Sequence, residues 1–311
     1  MYKYQNVNIG EIIPFTNDGV HIEYIICYKE SKTARYTPPK CPQILYHYTN
    51  VCAFRSIILK KNIFLGNLWK TNDKLELKWF LNLVHEEIRR RALNTALYLT
   101  FCTLEKCRYL PFYFSFSELK DNLDQWMKYG ANGNGIAIGF YSKKIPFNRR
   151  LPQIGASTFV TQAASLLKID YAVIRQKKEI NAILDNVVKG SLSPYEAAFC
   201  LAKMSFACKS PDWSSEKEWR VVCAPEAYGD DKTCELKLGN DVVISSKKSL
   251  TNSDGTEKII REMKFQPTDI AEVIIGPKNQ ITVQEVEDFL KNNGYDIGKT
   301  TNVFRSNSPL Q

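Results

Sequence analysis

The stretch Lys209-Ser210-Pro211-Asp212-Trp213-Ser214-Ser215-Glu216-Lys217-Glu218-Trp219-Arg220-Val221-Val222-Cys223 decides how this chain reads. Its second half, Glu218–Cys223, is dense in β-branched and aromatic residues and predicts a strand. Glu216, Glu218 and Arg220 fall at intervals of two, so an extended backbone puts all three on one face. A core cannot hold two carboxylates and a guanidinium unpaired. Such a group lies either on a solvated face or along a polar cleft, and its setting between Trp213, Trp219 and Val221-Val222 favours the cleft.

Working outward, the strands after this stretch are Thr233–Leu238, Val242–Ser245 and Ala271–Ile275. A helix over Val283–Asn292 follows, with Asn293-Gly294 as its stop. Before it come helices over Lys178–Val188 and Pro194–Cys208 and a strand around Leu167–Val173. Further upstream are strands Ile44–Thr49, Ile63–Leu65, Ala96–Thr103, Phe112–Phe116 and Gly135–Tyr141. Cys52–Leu59, capped by Asn50, has helical spacing of its apolar residues. Leu75–Leu93 is a long amphipathic helix closed by Arg89–Arg91, and Asp121–Tyr129 a short helix. Strands and helices do not alternate strictly. The class is therefore α+β with mainly antiparallel strands rather than a doubly wound parallel sheet. Residues 1–40 read as an N-terminal appendage with β-type runs such as Val20–Tyr28. Residues 41–300 read as one main domain, and 301–311 as a C-terminal tail.

The 311 residues are 44% hydrophobic and 24% charged, which excludes a disordered chain, a collagen and a coiled coil. The longest apolar runs fall short of the roughly 18 residues that a membrane span needs. The N-terminus lacks the basic-then-apolar layout of a secretory leader, so a cytoplasmic protein is expected. Nine cysteines, an odd number scattered among apolar residues, read as free thiols rather than a disulfide framework. Cys102 and Cys107 have no second Cys/His pair to complete a zinc site, and no metal is expected. The net charge of +9 is lopsided. Residues 1–150 hold 22 Lys/Arg against 12 Asp/Glu, while 151–311 hold 20 against 21. That asymmetry suits an anionic partner: nucleic acid, a phosphate-bearing small molecule or an acidic protein.

Other groupings carry chemistry. In Leu45-Tyr46-His47-Tyr48-Thr49, His47 and Tyr48 point to opposite faces of a strand, so only one of them can face a given cleft from a regular strand. Asn72–Glu76 has the form of a helix capping box. Ser115 and Ser117 stand opposite Phe114 and Phe116. Trp126 and Tyr129, three apart on a helix, either pack in the core or wall a pocket for a flat ring. Gly130, Gly133, Gly135 and Gly139 lack dinucleotide-loop spacing and precede a strand, so they read as a turn.

In their order, these pieces resemble the bacterial domain-of-unknown-function family 2971. The motifs are His47-Tyr48-Thr49, Asn72 to Glu76, Phe116-Ser117-Glu118, Trp126 with Tyr129, Gly135 to Phe140, and Trp213 to Arg220, over roughly residues 44–276. That layout is similar in turn to the ADP-ribosyltransferase superfamily. The resemblance implies a split, mainly antiparallel sheet with flanking helices, and NAD as a substrate cleaved at its nicotinamide–ribose bond. It implies Glu218 at the ribose 2′-hydroxyl, Glu216 orienting the attacking group and His47 holding the adenosine-side ribose. Tyr48, Trp126 or Tyr129 would stack on a ring, with Ser115 or Ser117 on the middle strand. Arg220 or Lys209 would pair with the diphosphate. A toxin or anti-phage effector acting on a macromolecular target fits that reading. The competing expectations are a nucleic-acid-binding or nuclease-like protein, supported by the basic first half, and a non-catalytic member of the fold.

Overall fold

The computed structural model describes residues 39–68, 78–91, 111–152, 163–223, 235–251 and 255–309, together with the backbone of 13–17 and 20–24. The expected capping box at Asn72–Glu76, the strand Ala96–Thr103, and Cys102 and Cys107 lie outside the described residues. Strands β1 (Ile13–Asn17) and β2 (Val20–Tyr24) pair antiparallel in a sheet of their own.

The remaining strands form one twelve-stranded sheet: β3 (Ile44–Thr49), β4 (Asn62–Asn67), β5 (Phe112–Ser117), β6 (Ile136–Tyr141), β7 (Ala164–Lys168), β8 (Glu218–Cys223), β9 (Leu236–Leu238), β10 (Asp241–Ile244), β11 (Lys248–Thr251), β12 (Glu257–Lys264), β13 (Ile270–Ile275) and β14 (Asn302–Arg305). The chain is thus mixed α+β with a large, mostly antiparallel sheet. Among the described strand pairs, β13–β14 is parallel and the others run antiparallel.

The sheet branches at β5. One edge of β5 pairs with β8 along its full length, from Phe112↔Cys223 to Ser117↔Glu218. The other edge is shared. β3 meets it at Tyr46↔Ser117, and β4 meets it at Gly66↔Tyr113 and Asn67↔Phe112. Between these two contacts, β3 and β4 diverge and the ladder along Phe114–Phe116 is interrupted. Helix α1 (Val51–Lys60) connects the diverging strands. Its N-terminus is set by Asn50, whose side chain accepts from the Ala53 amide at 2.8 Å, and Lys61 ends it in the left-handed region (φ 51°).

The pleat of β5 sorts its side chains. Phe112, Phe114 and Phe116 enter the main core with Leu45, Leu65, Phe140, Trp219 and Val273, under α1 and α6 (Val283–Asn292). On the opposite face, a second core packs Val222 and Leu167 against α2 (Lys78–Arg90), α4 (Val173–Val188) and α5 (Pro194–Ser205). A small third cluster of Tyr46, Tyr48, Ala137 and Ile274 seats Trp126 of α3 (Leu123–Lys128).

Gly135 and Gly276 supply the close approach that this seat needs. A Cβ on Gly135 would collide with the Thr49 carbonyl, and one on Gly276 with the Gly133 carbonyl. Glycine here is a packing requirement, in keeping with the expected turn into a strand. The loop before α3 is held by Asp121, itself at φ 49°. Its carboxylate accepts the Trp126 indole N–H at 2.8 Å, the Ser306 hydroxyl and the Asn307 amide at 2.7 Å.

Several boundaries differ from the sequence reading. The strand expected around Leu167–Val173 ends at Lys168, and α4 begins at Val173, five residues early. The β-branched pair Val173-Ile174 reads as strand, yet Ile174 stands 87% exposed on the first turn of the helix. Helix α5 stops at Ser205 rather than Cys208, which bridges to Asp170. Strand β12, Glu-Lys-Ile-Ile-Arg-Glu-Met-Lys, carries charges that mask its pairing with β4. Residues 302–305, expected as part of a tail, add an edge strand to the sheet. None of the described helices is long and apolar enough to cross a membrane.

Candidate functional site

The interruption between β3 and β4 opens a cleft of about 490 Å³, within the range of small-molecule sites. Its walls are β3 (Tyr46 to Thr49), α1 (Ala53, Ser56, Ile57), β4 (Asn62, Phe64, Gly66), β5 (Tyr113 to Ser117), α3 with the residue that ends it (Gln125, Tyr129), and Lys209, Glu216, Glu218 and Lys258.

One wall is a buried set of four charges. Glu218 opens β8, and Arg220, two residues on, shares its face. The guanidinium grips the Glu218 carboxylate at two points, Nε to Oε1 at 2.8 Å and Nη2 to Oε2 at 2.9 Å. The Ser115 hydroxyl donates to Glu218 Oε1 at 2.5 Å from the neighbouring strand. Lys209 Nζ donates to Glu216 Oε2 at 2.8 Å and stands 3.5 Å from Glu218 Oε2. Tyr129 donates its hydroxyl to Glu216 Oε1. All four charged residues are buried, two cations against two anions, so the set is neutral. Burial alone would raise the Glu218 pKa. The Arg220 and Lys209 charges, with the Arg220 and Ser115 hydrogen bonds, override it and hold the carboxyl below its ordinary value.

The structure corrects how Glu216 arrives there. It is the last residue of a 3-10 helix, Pro211–Glu216, and not part of the strand. Lys217 then takes a left-handed conformation (φ 48°, ψ 45°), which non-glycine residues rarely adopt. That turn, rather than β alternation, brings Glu216 beside Glu218.

The opposite wall is His47. Its Nδ1 lies 3.1 Å from the Ser115 carbonyl, in the gap where a backbone ladder would otherwise run. A carbonyl can only accept, so Nδ1 carries the hydrogen and Nε2 is left as an acceptor. The ring packs on Phe114 at 4.2 Å between centroids. Burial pushes the His47 pKa down to about 4, against the opposing pull of the Ser115 carbonyl. The imidazole is therefore neutral at pH 7. His47 and Glu218 come from opposite faces of the sheet by register, since Tyr46 sits across from Ser117 and Ser117 across from Glu218. The split lets one cleft reach both, and Ser115 joins them through its carbonyl on one side and its hydroxyl on the other.

The expected ring-stacking residues separate. Trp126 is fully buried and lies outside the cleft wall, edge-on to Tyr48 with centroids 4.8 Å apart. Of the two readings of Trp126, core or pocket wall, the structure places it in the core: its indole N–H is held by Asp121 and its ring packs with Tyr46, Tyr48, Ala137 and Ile274. Tyr48 touches the cleft, but its hydroxyl donates to the Leu119 carbonyl at 2.7 Å and accepts from the Asn122 amide at 3.1 Å. It is a structural tie between β3 and the loop before α3. Tyr129, 44% exposed, is the expected aromatic that offers a ring face. Ser117 is buried and ties the loop to the Glu216 carbonyl at 2.7 Å.

Arg220, the other expected diphosphate partner, is 1% exposed, absent from the cleft wall, held at two points by Glu218 and stacked over Tyr113 at 5.0 Å. Sequence reasoning missed Lys258, on a strand it did not expect. The Lys258 ammonium and its adjoining methylene lie over Gly66, where a Cβ would stand 3.8 and 3.7 Å from them.

Residues 125–221 match the profile of a family described as a protein of unknown function (DUF2971). The matched segment is shorter than the expected 44–276. It contains Gln125, Trp126, Tyr129, Lys209, Glu216, Glu218 and Arg220, while His47, Tyr48, Ser115 and Ser117 precede it. No curated protein and no solved structure matches the chain.

Proposed function

We propose that the cleft binds NAD as a substrate and cleaves its nicotinamide–ribose bond, so that the chain acts as an ADP-ribosyltransferase-like protein or NAD glycohydrolase. The observation that carries this reading is that His47 and Glu218, 171 positions apart in sequence, wall a single cleft at the split of an antiparallel sheet and are bridged by Ser115.

The chemistry follows from those groups. As the bond between ribose C1′ and the nicotinamide nitrogen breaks, its electron pair leaves with neutral nicotinamide, and positive charge grows on the ribose. Glu218 is kept ionised and oriented by Arg220, so its negative charge stands ready for that moment without reorganising. Glu216 accepts the proton of the attacking group, water or a side chain of a macromolecular target, as the new bond to C1′ forms. His47, neutral with Nε2 accepting, takes a hydrogen bond from a ribose hydroxyl. Tyr129 offers a ring to a flat base. Lys258 replaces Arg220 as the partner of the diphosphate, with Lys209 committed to Glu216.

The test is release of nicotinamide from NAD labelled on that ring. The wild-type chain should release it, and Glu218→Gln should lose about 10²–10³ in rate. If the wild type releases none and both proteins bind NAD alike, the reading fails. Binding to DNA or RNA that collapses steeply with added salt would favour the nucleic-acid reading instead.

A further inference from the structure

Gly66 of β4 and Gly139 of β6 both stand inside strands, and they differ. A Cβ on Gly139 would come within 2.9 Å of Glu272 Cγ and of Ile44 Cγ2, so packing explains that glycine. A Cβ on Gly66 would meet nothing closer than the Lys258 side chain at 3.7 Å and the Tyr113 ring at 4.0 Å, both ordinary contacts. The backbone does not ask for glycine there either, since its φ is not positive. Gly66 is paired on both sides, with Ile260 of β12 and Tyr113 of β5. Glycine inside a strand weakens it, and where the fold gives no reason for it, it marks a close approach by another group.

The cleft says where that group lies. Along β4 burial alternates. Ile63 and Leu65 enter the main core, while Asn62, Phe64 and Gly66 are half-buried and line the cleft. Register puts Tyr113 on the face of Gly66, and Ser115, which donates to Glu218, follows two residues on. The wall from Glu218 to Gly66 is therefore continuous, but its charge differs between the ends. At Glu218 two cations balance two carboxylates. At Gly66 cations are in excess. Lys258 lies over the glycine, and Lys60 Nζ stands 5.6 Å from the Phe64 centroid. Glu262, across from Phe64, is taken by Lys248, and neither Lys60 nor Lys258 enters an ion pair among the described residues.

We infer that the Phe64–Gly66 end of the cleft is a phosphate subsite, with Lys258 as its cation and the Gly66 backbone as a floor that a side chain would narrow. The ammonium lies 3.8 Å from where a Gly66 Cβ would stand, so an oxygen that pairs with it from inside the cleft needs that same space. Surplus positive charge draws an anion to this end, and Gly66 decides how closely it can settle. Where the phosphate is the diphosphate of NAD, the inference rests on the reading proposed above and adds Gly66 to it as a residue that sets specificity.

Gly66→Ala and Lys258→Gln test it in the full chain. The measurements are the melting temperature without ligand and calorimetric titration with ADP-ribose and with inorganic pyrophosphate. Gly66→Ala should melt about 1–2 °C higher, because a strand glycine that the fold does not need has gone. It should bind whichever probe the wild type holds about tenfold more weakly, because the methyl takes the space of the anion. Lys258→Gln should also lose about tenfold, and its remaining affinity should depend less on salt. Binding of ADP-ribose alone supports a subsite for a nucleotide diphosphate, and binding of pyrophosphate as well supports one for the phosphates themselves. A lower melting temperature for Gly66→Ala would make the glycine structural and overturn the inference. Unchanged affinity in either variant, or a wild type that binds neither probe, would overturn it too. If the variants behave as expected but NAD yields no nicotinamide, the proposed reaction falls and the subsite stands. If nicotinamide is released and Gly66→Ala binds like wild type, the subsite falls and the reaction stands.

Discussion

The two edges of β5 are built on opposite terms. Along β8 the ladder is complete, and the side chains behind it are saturated: Glu218 has Arg220 and Ser115, and Glu216 has Lys209 and Tyr129. Along the other edge the ladder breaks between Tyr46↔Ser117 and Gly66↔Tyr113, a histidine ring stands in for a backbone donor, and a cleft opens. The difference teaches where a protein can keep reactive charge. The complete edge fixes two carboxylates in place, and the broken edge opens the cleft that they line.

The comparison breaks most forcefully on the complete edge. Arg220→Met leaves Glu218 as a buried charge without its main partner. Urea unfolding at neutral pH should register a loss of about 3–5 kcal/mol; a loss under 1 kcal/mol would mean that the guanidinium is not what compensates the carboxylate. The broken edge should be more forgiving. His47→Phe removes the donor to the Ser115 carbonyl, but water in the cleft can reach that oxygen. The expected cost sits at the lower end of the range for an orphaned acceptor, about 1 kcal/mol.

The same residue gives the pH dependence. Its pKa is about 4 folded and about 6.5 unfolded, so between those values the unfolded chain binds more protons. Stability contributed by neutral His47 is whole above about pH 6.5 and is lost as the pH falls toward 4. Unfolding of His47→Phe measured across that window should fall less steeply than wild type, and parallel profiles would contradict the neutral imidazole. The smallest effect belongs to Tyr129, which joins the two edges from α3. Tyr129→Phe should cost about 0.5 kcal/mol, the low end for a hydrogen bond, because Tyr129 is 44% exposed and water can replace its hydroxyl; the same denaturation curves read it, and the ring face that the cleft offers is kept.

Much of this was legible in the residues. Phe112–Ser117 and Glu218–Cys223 announce strands by alternation and β-rich composition, and the charges at Glu218 and Arg220 demand either water or one another. The sequence also restricts His47 and Tyr48 to opposite faces, and the fold makes Tyr48 the structural one. Other parts were hidden for physical reasons. Glu216 reaches the site through a left-handed turn at Lys217, which no periodicity reveals. β12 is a strand by virtue of its neighbour β4, and its charged sequence gives a propensity scale nothing to read. Gln125 looks like any surface glutamine on a helix. Its burial in the cleft wall is a property of the folded environment, and the one local hint is its spacing of four from Tyr129.

The anchoring of Asp121 has a consequence for the order in which the molecule can be made. Every residue found to line the cleft precedes Gly276 in the chain, yet the loop that seats α3 is closed by Ser306 and Asn307, 185 and 186 positions after the aspartate they bind. A chain emerging N-terminus first exposes all the lining residues before the fastening for Trp126 exists. The cleft is therefore completed late in synthesis, by two residues just after the last strand that contribute no group to its wall.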